Sequence, residues 1–221
     1  MPAPEQTSDQ SFGHSVEGRA LRARRFGPDG PRPLLVVAGV HGDEPSSVAG
    51  AVELEQRLAD GQVVPEGPVW LVAALNPDGL ARGQKNNARD VDLNRNFPAV
   101  NFSAQHRPGY FPGERPLSEP ETAALAALIE RERIAAVVAI HAPFACVNYD
   151  GPAVDWARRV AAACGWPARA DIGYPTPGSL GTWLGLDRGL PILTLELPPG
   201  PFQAFRGPCR AALDEALRVT R

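Results

Sequence analysis

The stretch that decides the fold is Leu34-Leu35-Val36-Val37-Ala38-Gly39-Val40-His41-Gly42-Asp43-Glu44. It begins with a continuous apolar run that contains two valines, which is typical of a strand buried on both faces of a sheet. The run ends at Gly39, so His41 and Glu44 follow on the loop after the strand. Pro45-Ser46-Ser47 then suits the first turn of a helix, which we expect to continue to about Ala59.

The alternation of strand and helix continues along the chain. Further strands are predicted at 21–26, 69–75, 134–140 and 192–197, and further helices at 118–133, 153–164, 179–187 and 208–218. This order predicts an α/β fold with a mostly parallel or mixed sheet. Residues 76–118 are rich in Asn, Pro, Gly and Arg and are predicted to be mostly loop, and residues 1–13 a flexible segment. Residues 14–221 are predicted to form a single domain.

Composition narrows the class of protein. The 221 residues carry a net charge of −3, and no basic run suggests binding to nucleic acid. Three cysteines without CxxC spacing predict reduced thiols, and Cys146 is predicted to be a small buried residue, not a nucleophile. No secretory signal and no apolar run of membrane-spanning length is visible, so we expect a cytoplasmic protein with no membrane contact. The oligomeric state is left open.

Four titratable residues follow predicted strands. They are His41, Glu44, His141 and Glu196. Because ligand sites of such sheets lie at the carboxyl ends of the strands, the fold would bring these side chains together. Two His and one Glu form a recurrent ligand set for one catalytic zinc ion with an open position for water. The alternatives are a solvated loop for His41 and Glu44, and a hydrogen-bonded core residue for His141.

Glu196 lies in Leu193-Thr194-Leu195-Glu196-Leu197-Pro198. A Glu in a buried strand pattern is costly unless it is paired or functional, whereas a Glu at the strand end could instead contact solvent. Partial burial would raise its pKa towards that of a general base for the attacking water.

Polar residues are dense in Asp92-Leu93-Asn94-Arg95-Asn96-Phe97-Pro98. Asn94 and Arg95 can hold a substrate carboxylate, since a guanidinium binds carboxylates through two parallel hydrogen bonds. The alternative is a loop stabilised by its own side-chain to backbone bonds. Asp92 could accept a hydrogen bond from the far nitrogen of a ligand His and so fix its ring.

Taken together, these residues resemble the zinc metallocarboxypeptidase family. The matching segments are His41–Glu44, Asn76–Gly79, Val91–Pro98 and those around His141 and Glu196. Within that family the segments Ser118–Thr122, His141–Val147 and Tyr174–Trp183 are most similar to the compact bacterial murein peptide amidases. The resemblance implies a three-layer α/β/α domain with a mixed, mostly parallel central sheet.

The resemblance also implies a role for each site residue. His41, Glu44 and His141 would bind zinc, and Glu196 would be the general base and then the general acid. Asn94 and Arg95 would bind the substrate carboxylate, with Asp92 supporting His41. The family's oxyanion-stabilising Arg is replaced by Lys85, the only lysine of the chain, unless Arg82 or Arg89 takes that role. Tyr174 is the candidate for the tyrosine that closes on substrate.

The function implied is hydrolysis of the amide between the γ-carboxyl of D-glutamate and diaminopimelate in murein peptides during cell-wall recycling. A zinc deacylase of N-acyl amino acids has the same ligand set and the same Asn-Arg pair. A carboxypeptidase with another peptide substrate, or a metal- or peptide-binding domain without catalysis, would also be compatible with the residues.

Overall fold

Eight strands form one mixed sheet in the computed structural model, which describes residues 8–219. The strands are β1 (Ser8–His14), β2 (Ala20–Phe26), β3 (Leu34–Val37), β4 (Val69–Val72), β5 (Ala136–His141), β6 (Cys146–Asp150), β7 (Ala168–Arg169) and β8 (Ile192–Glu196). Their order across the sheet is β1-β2-β4-β3-β5-β8-β6-β7. The central strands β4, β3, β5 and β8 run parallel, whereas β2 and β6 flank them in the antiparallel direction.

Helices cover both faces of the sheet. They are α1 (Pro45–Ala59), α2 (Pro77–Arg82), α3 (Pro120–Arg131), α4 (Val154–Cys164) and α5 (Arg206–Ala216). Apolar residues of α1, α4 and α5 pack on one face of the central strands, and α3 packs on the other together with the segment around Phe97 and Trp183. The result is the predicted three-layer α/β/α domain, in which the central strands are buried on both sides.

The parallel central strands end at one edge of the sheet. β3 leads into the loop that carries His41 and Glu44, and β5 and β8 end at His141 and Glu196. These last two residues are direct partners in the parallel register of β5 and β8. The backbone pairing of the sheet therefore fixes how far apart they lie.

Several local predictions differ from the structure. The flexible segment predicted for residues 1–13 is wrong for residues 8–13, which pair with β2 as strand β1, while residues 1–7 lie outside the described residues. The 76–118 segment also contains helix α2, because the Asn76 side chain accepts a hydrogen bond from the Gly79 amide and caps the helix start. β6 and β7 had no counterpart among the predicted elements, and the helix predicted at 179–187 is a π-helix over Thr182–Leu186.

Candidate active site

The loop after β3 is held by backbone and buried polar contacts. The Ser47 hydroxyl donates to the Glu44 carbonyl at 2.7 Å and accepts from the Gly39 amide at 3.3 Å, so it joins the strand end to the start of α1. The Asn76 amide donates to the Val40 carbonyl at 3.3 Å and to the Lys85 carbonyl at 3.2 Å. These contacts fix the loop before any ligand is bound.

Two imidazoles face one carboxylate at this loop. His41 Nδ1 lies 2.7 Å from Glu44 Oε1, and His141 Nδ1 lies 3.2 Å from Glu44 Oε2. The Ala142 amide donates to the same Oε2 at 3.1 Å, and the two imidazole rings are 4.9 Å apart. One ligand atom from each of His41, Glu44 and His141 lies within 4.8 Å of the others. This donor set and its convergence fit a zinc ion, which prefers nitrogen and carboxylate oxygen ligands.

Asp92 lies behind His41 and is fully buried. Its Oδ1 lies 3.1 Å from His41 Nε2 and accepts from the Asn94 amide at 2.9 Å. Its Oδ2 accepts from Lys85 Nζ at 2.6 Å. A carboxylate on the far nitrogen fixes the ring and presents the other nitrogen to a metal, so the predicted contact of Asp92 with His41 is present.

The charges around His41 favour positive charge between His41, Glu44 and His141. Burial lowers the pKa of His41, but hydrogen bonds to Asp92 and Glu44 and their charges outweigh it and raise that pKa to about 9. Burial opposes ionisation of Glu44 as well, yet the charge and hydrogen bond of His141, followed by those of His41, lower its pKa to about 2. For Asp92, the His41 contact and then Arg95 and Lys85 outweigh burial and hold the pKa well below its usual range.

Glu196 is 5% exposed, and its Oε2 is buried without a hydrogen-bond partner among the described residues. Burial raises the pKa of this carboxyl, His141 lowers it, and the charge of Glu44 raises it further, with a net upward shift. A buried carboxylate oxygen without a hydrogen-bond partner lowers the stability of the fold. It suits a group that exchanges a proton with a water or a substrate.

A cavity of about 250 Å³ opens beside these residues, and Asn94, His141, Tyr174 and Glu196 all line it. The Asn94 side-chain oxygen accepts from the Leu180 amide at 3.0 Å. The Tyr174 ring lies 6.1 Å from that of Phe144. The structure therefore brings four of the predicted site residues around one opening.

Lys85 and Arg95 do not line this cavity, but Arg95 lines a second cavity, and Pro175 lines both. Lys85 Nζ contacts Asp92, donates to the Gly109 carbonyl at 3.1 Å and lies 3.5 Å from the centre of the Tyr110 ring. Arg95 is 5% exposed, donates to the Asn94 carbonyl at 2.6 Å and lies 5.4 Å from the same ring. The two cations thus meet at Tyr110, a residue that carried no signal in the sequence because it lies on an irregular loop.

Arg82 and Arg89, the alternatives to Lys85 for stabilising the oxyanion, contact other parts of the chain. Arg82 pairs with Glu17, and Arg89 lies 3.7 Å from Glu119. Neither lines the cavity.

Comparison with known proteins gives the family. The sequence model described as zinc carboxypeptidase matches residues 2–154. Murein peptide amidase A of Escherichia coli K12 is 38% identical over 177 residues, which cover 75% of this chain and 71% of that protein. Murein peptide amidase A of Vibrio campbellii is 36% identical over 202 residues, which cover 86% of this chain and 79% of the relative.

Solved structures agree with the sequence comparison. The crystal structure of murein-tripeptide amidase from Escherichia coli O157 superimposes with a TM-score of 0.76 at 31% identity, covering 100% of this chain and 93% of that chain. Bovine thrombin-activatable fibrinolysis inhibitor gives a TM-score of 0.81 at 19% identity over 97% of this chain and 89% of its own, which shows the shared fold. The chain therefore belongs to the zinc carboxypeptidase family of peptidases and amidases.

Proposed function

We propose that this chain is a zinc-dependent amidase that cleaves the γ-D-glutamyl–diaminopimelate bond of murein peptides. The observation that carries the proposal is the convergence of His41, Glu44 and His141 beside the unpaired Oε2 of Glu196. The three convergent residues would hold one zinc ion. When bound, zinc supplies Lewis-acid chemistry, making water more acidic and polarising a carbonyl.

Glu196 moves the proton in the proposed reaction. Its carboxylate takes a proton from the water that attacks the amide carbonyl. As the carbon–nitrogen bond breaks, Glu196 returns this proton to the departing amine, which leaves as the free amino group of diaminopimelate. Burial raises the pKa of Glu196, which makes it a stronger proton acceptor than an exposed carboxylate.

Asn94 and Arg95 are proposed to bind the free carboxylate next to the scissile amide. Arg95 is buried, and among residues 8–219 its charge lowers the pKa of Asp92 without a direct ion pair. A substrate carboxylate would bind its guanidinium through two parallel hydrogen bonds and neutralise it further. Binding there would set which amide lies against Glu196.

Lys85 and Tyr174 have proposed roles of their own. Lys85 would stabilise the oxyanion, for which it would have to exchange part of its contact with Asp92 for the substrate oxygen. Tyr174 lines the cavity, and Arg107 lies 5.0 Å from the centre of its ring. It would close over the bound peptide.

The names of the relatives support the choice of substrate. Two relatives at 36–38% identity are murein peptide amidases. Their substrate class contains the free carboxylate that Arg95 would bind. None of the helices in residues 8–219 has the length and apolar character needed to cross a bilayer. We place the reaction in the cytoplasm, where murein peptides are recycled.

The test is incubation of zinc-loaded protein with L-Ala-γ-D-Glu-meso-diaminopimelate, with release of diaminopimelate followed by mass spectrometry. We expect release that a chelator abolishes and zinc restores. Glu196→Gln should keep stoichiometric zinc and lose most turnover. The matched control Glu132→Gln, at a partly exposed residue paired with Arg131 outside the site, should retain both. Full turnover by Glu196→Gln would remove Glu196 from the mechanism.

The second candidate is a zinc deacylase of N-acyl amino acids, for which the same trio and the Asn94-Arg95 pair would serve. Assaying N-acetyl and N-acyl amino acids beside the tripeptide separates the two. Faster release from acyl amino acids than from the γ-glutamyl peptide would replace the amidase assignment. Zinc binding with no turnover of either class would favour a binding domain.

A further inference from the structure

The loop that faces Lys85 makes a tight turn at Arg107-Pro108-Gly109-Tyr110. The Tyr110 amide donates to the Arg107 carbonyl at 3.1 Å, and Gly109 has a φ of 80°. Proline at the second position and glycine with a positive φ at the third are the pattern of a type II β-turn. The turn therefore holds the Gly109 carbonyl and the Tyr110 ring in a fixed relation to each other.

Both of these groups contact the Lys85 ammonium. Nζ donates to the Gly109 carbonyl at 3.1 Å and lies 3.5 Å from the centre of the Tyr110 ring, within the range of cation–π attraction. The same Nζ donates to Asp92 Oδ2 at 2.6 Å. Since a lysine ammonium has three N–H donors, two of them are directed at oxygen atoms while the ring attracts the charge as a whole.

A lysine at this position needs such support. Its ammonium is a strongly hydrated point charge on a flexible stem, and it lacks the rigid fork of an arginine. Two further cations surround the same ring, because the guanidinium carbons of Arg107 and Arg95 lie 4.2 Å and 5.4 Å from its centre. Their like charge repels the ammonium, so the contacts that hold Lys85 have to outweigh this repulsion.

We propose that Tyr110 is a positioning residue for the reaction, and that its ring holds the Lys85 ammonium where it can stabilise the oxyanion. The inference rests on the proposed function, in which Lys85 has this role. Attraction to the face of a ring does not require a directed N–H. The ammonium can therefore turn one donor from Asp92 or Gly109 towards the substrate oxygen while the ring keeps it in place.

The kinetic test uses the γ-D-Glu-diaminopimelate peptide and two variants of Tyr110. Tyr110→Leu should lower kcat by about three- to thirtyfold with little change in KM, because the oxyanion forms only in the transition state. Tyr110→Phe keeps the ring and should keep kcat. In a Lys85→Met background, Tyr110→Leu should cause no further loss. A merely structural role would instead lower kcat in both backgrounds.

The second readout does not depend on turnover. Lys85 is the only lysine of the chain, so lysine labelled with ¹³C at the ε carbon gives a single side-chain NMR signal. The ring current of Tyr110 should move this signal upfield of its position in the denatured protein. The upfield shift should persist in Tyr110→Phe and disappear in Tyr110→Leu. Arg107→Gln is the matched control, because it removes another cation from the same ring and should keep the shift.

The two readouts separate this inference from the proposed function. If the wild type cleaves nothing but shows an upfield signal that Tyr110→Leu removes, the placement of Lys85 by Tyr110 stands and the proposed reaction fails. If the wild type cleaves the peptide and Tyr110→Leu keeps full kcat, or loses as much in the Lys85→Met background, the positioning role is wrong. An unshifted signal in the wild type also refutes it. Thermal melts equal to that of the wild type exclude misfolding of the variants.

Discussion

Replacing Asp92 with Asn tests whether the buried carboxylate behind His41 governs metal affinity. In the wild type one oxygen serves His41 Nε2 at 3.1 Å and the Asn94 amide at 2.9 Å, and the other accepts from Lys85 Nζ at 2.6 Å. Asn has a single oxygen acceptor, so its NH₂ group must face either His41 or Lys85. Facing His41, it would force the opposite tautomer and place a proton on the nitrogen that should bind zinc.

The expected loss follows from these contacts. Removing a partner on the far nitrogen of a ligand His weakens metal affinity by about 10- to 100-fold, equivalent to about 1.4–2.7 kcal/mol. We expect a loss in this range for Asp92→Asn, because Asp92 is fully buried and its carboxylate contacts His41 Nε2 directly. The assay is competition for zinc against a chromophoric chelator at neutral pH.

Lys85→Met provides the matched control for zinc affinity. It removes the second partner of Asp92 and leaves the contact between Asp92 and His41 in place. We expect its zinc affinity to stay close to that of the wild type. Wild-type zinc affinity in Asp92→Asn would refute the reasoning. An equal loss of zinc affinity in both variants would also refute it, because the loss would then not depend on the contact between Asp92 and His41.

Three further outcomes are expected. Lys85→Met should lower kcat by about 10²- to 10³-fold with zinc still bound, and Lys85→Arg should recover most of the lost kcat. Full turnover by Lys85→Met in steady-state kinetics would exclude an oxyanion role for Lys85. Gly42→Ala should lower the melting temperature strongly, because its methyl group would overlap backbone atoms of the 79–84 segment. Gly67→Ala should not, because the added methyl group would meet no atom within 4 Å. Equal melts would show that the loop rearranges freely. Burial raises the pKa of the Cys146 thiol to about 11 and that of Cys209 to about 12, so neither thiol should react with a disulfide reagent at neutral pH before denaturation; native-state labelling would contradict their burial.

The central part of the fold was predictable from the sequence. The strands that carry His141 and Glu196 are apolar runs, and their ends meet at one edge because parallel strands share direction. The edge strands of the sheet could not be predicted in this way. β1 has the polar sequence SDQSFGH and β7 is two residues long, so neither has a hydrophobic pattern to detect.

Not every residue of the site could be predicted from the sequence, for a similar reason. The convergence of His41, Glu44 and His141 could be predicted because each lies at or just after the end of a recognisable strand. Asp150, which also lines the cavity, could not be predicted, because it reaches the cavity through the pairing of β6 with β8, two segments more than forty residues apart. The contact of Lys85 with Tyr110 depends on the course of an irregular loop, which local sequence preferences do not determine.

The register of β5 with β8 affects how the substrate preference of this enzyme can evolve. The spacing between His141 and Glu196 is set by a largely buried hydrogen-bonded ladder of the sheet, whereas the groups that would recognise the substrate lie on flanking strands and loops. Substitutions in the recognition groups therefore leave the reacting groups at their distance from each other. New peptide preferences can accumulate along this lineage one residue at a time, with the bond-breaking apparatus retained at every step.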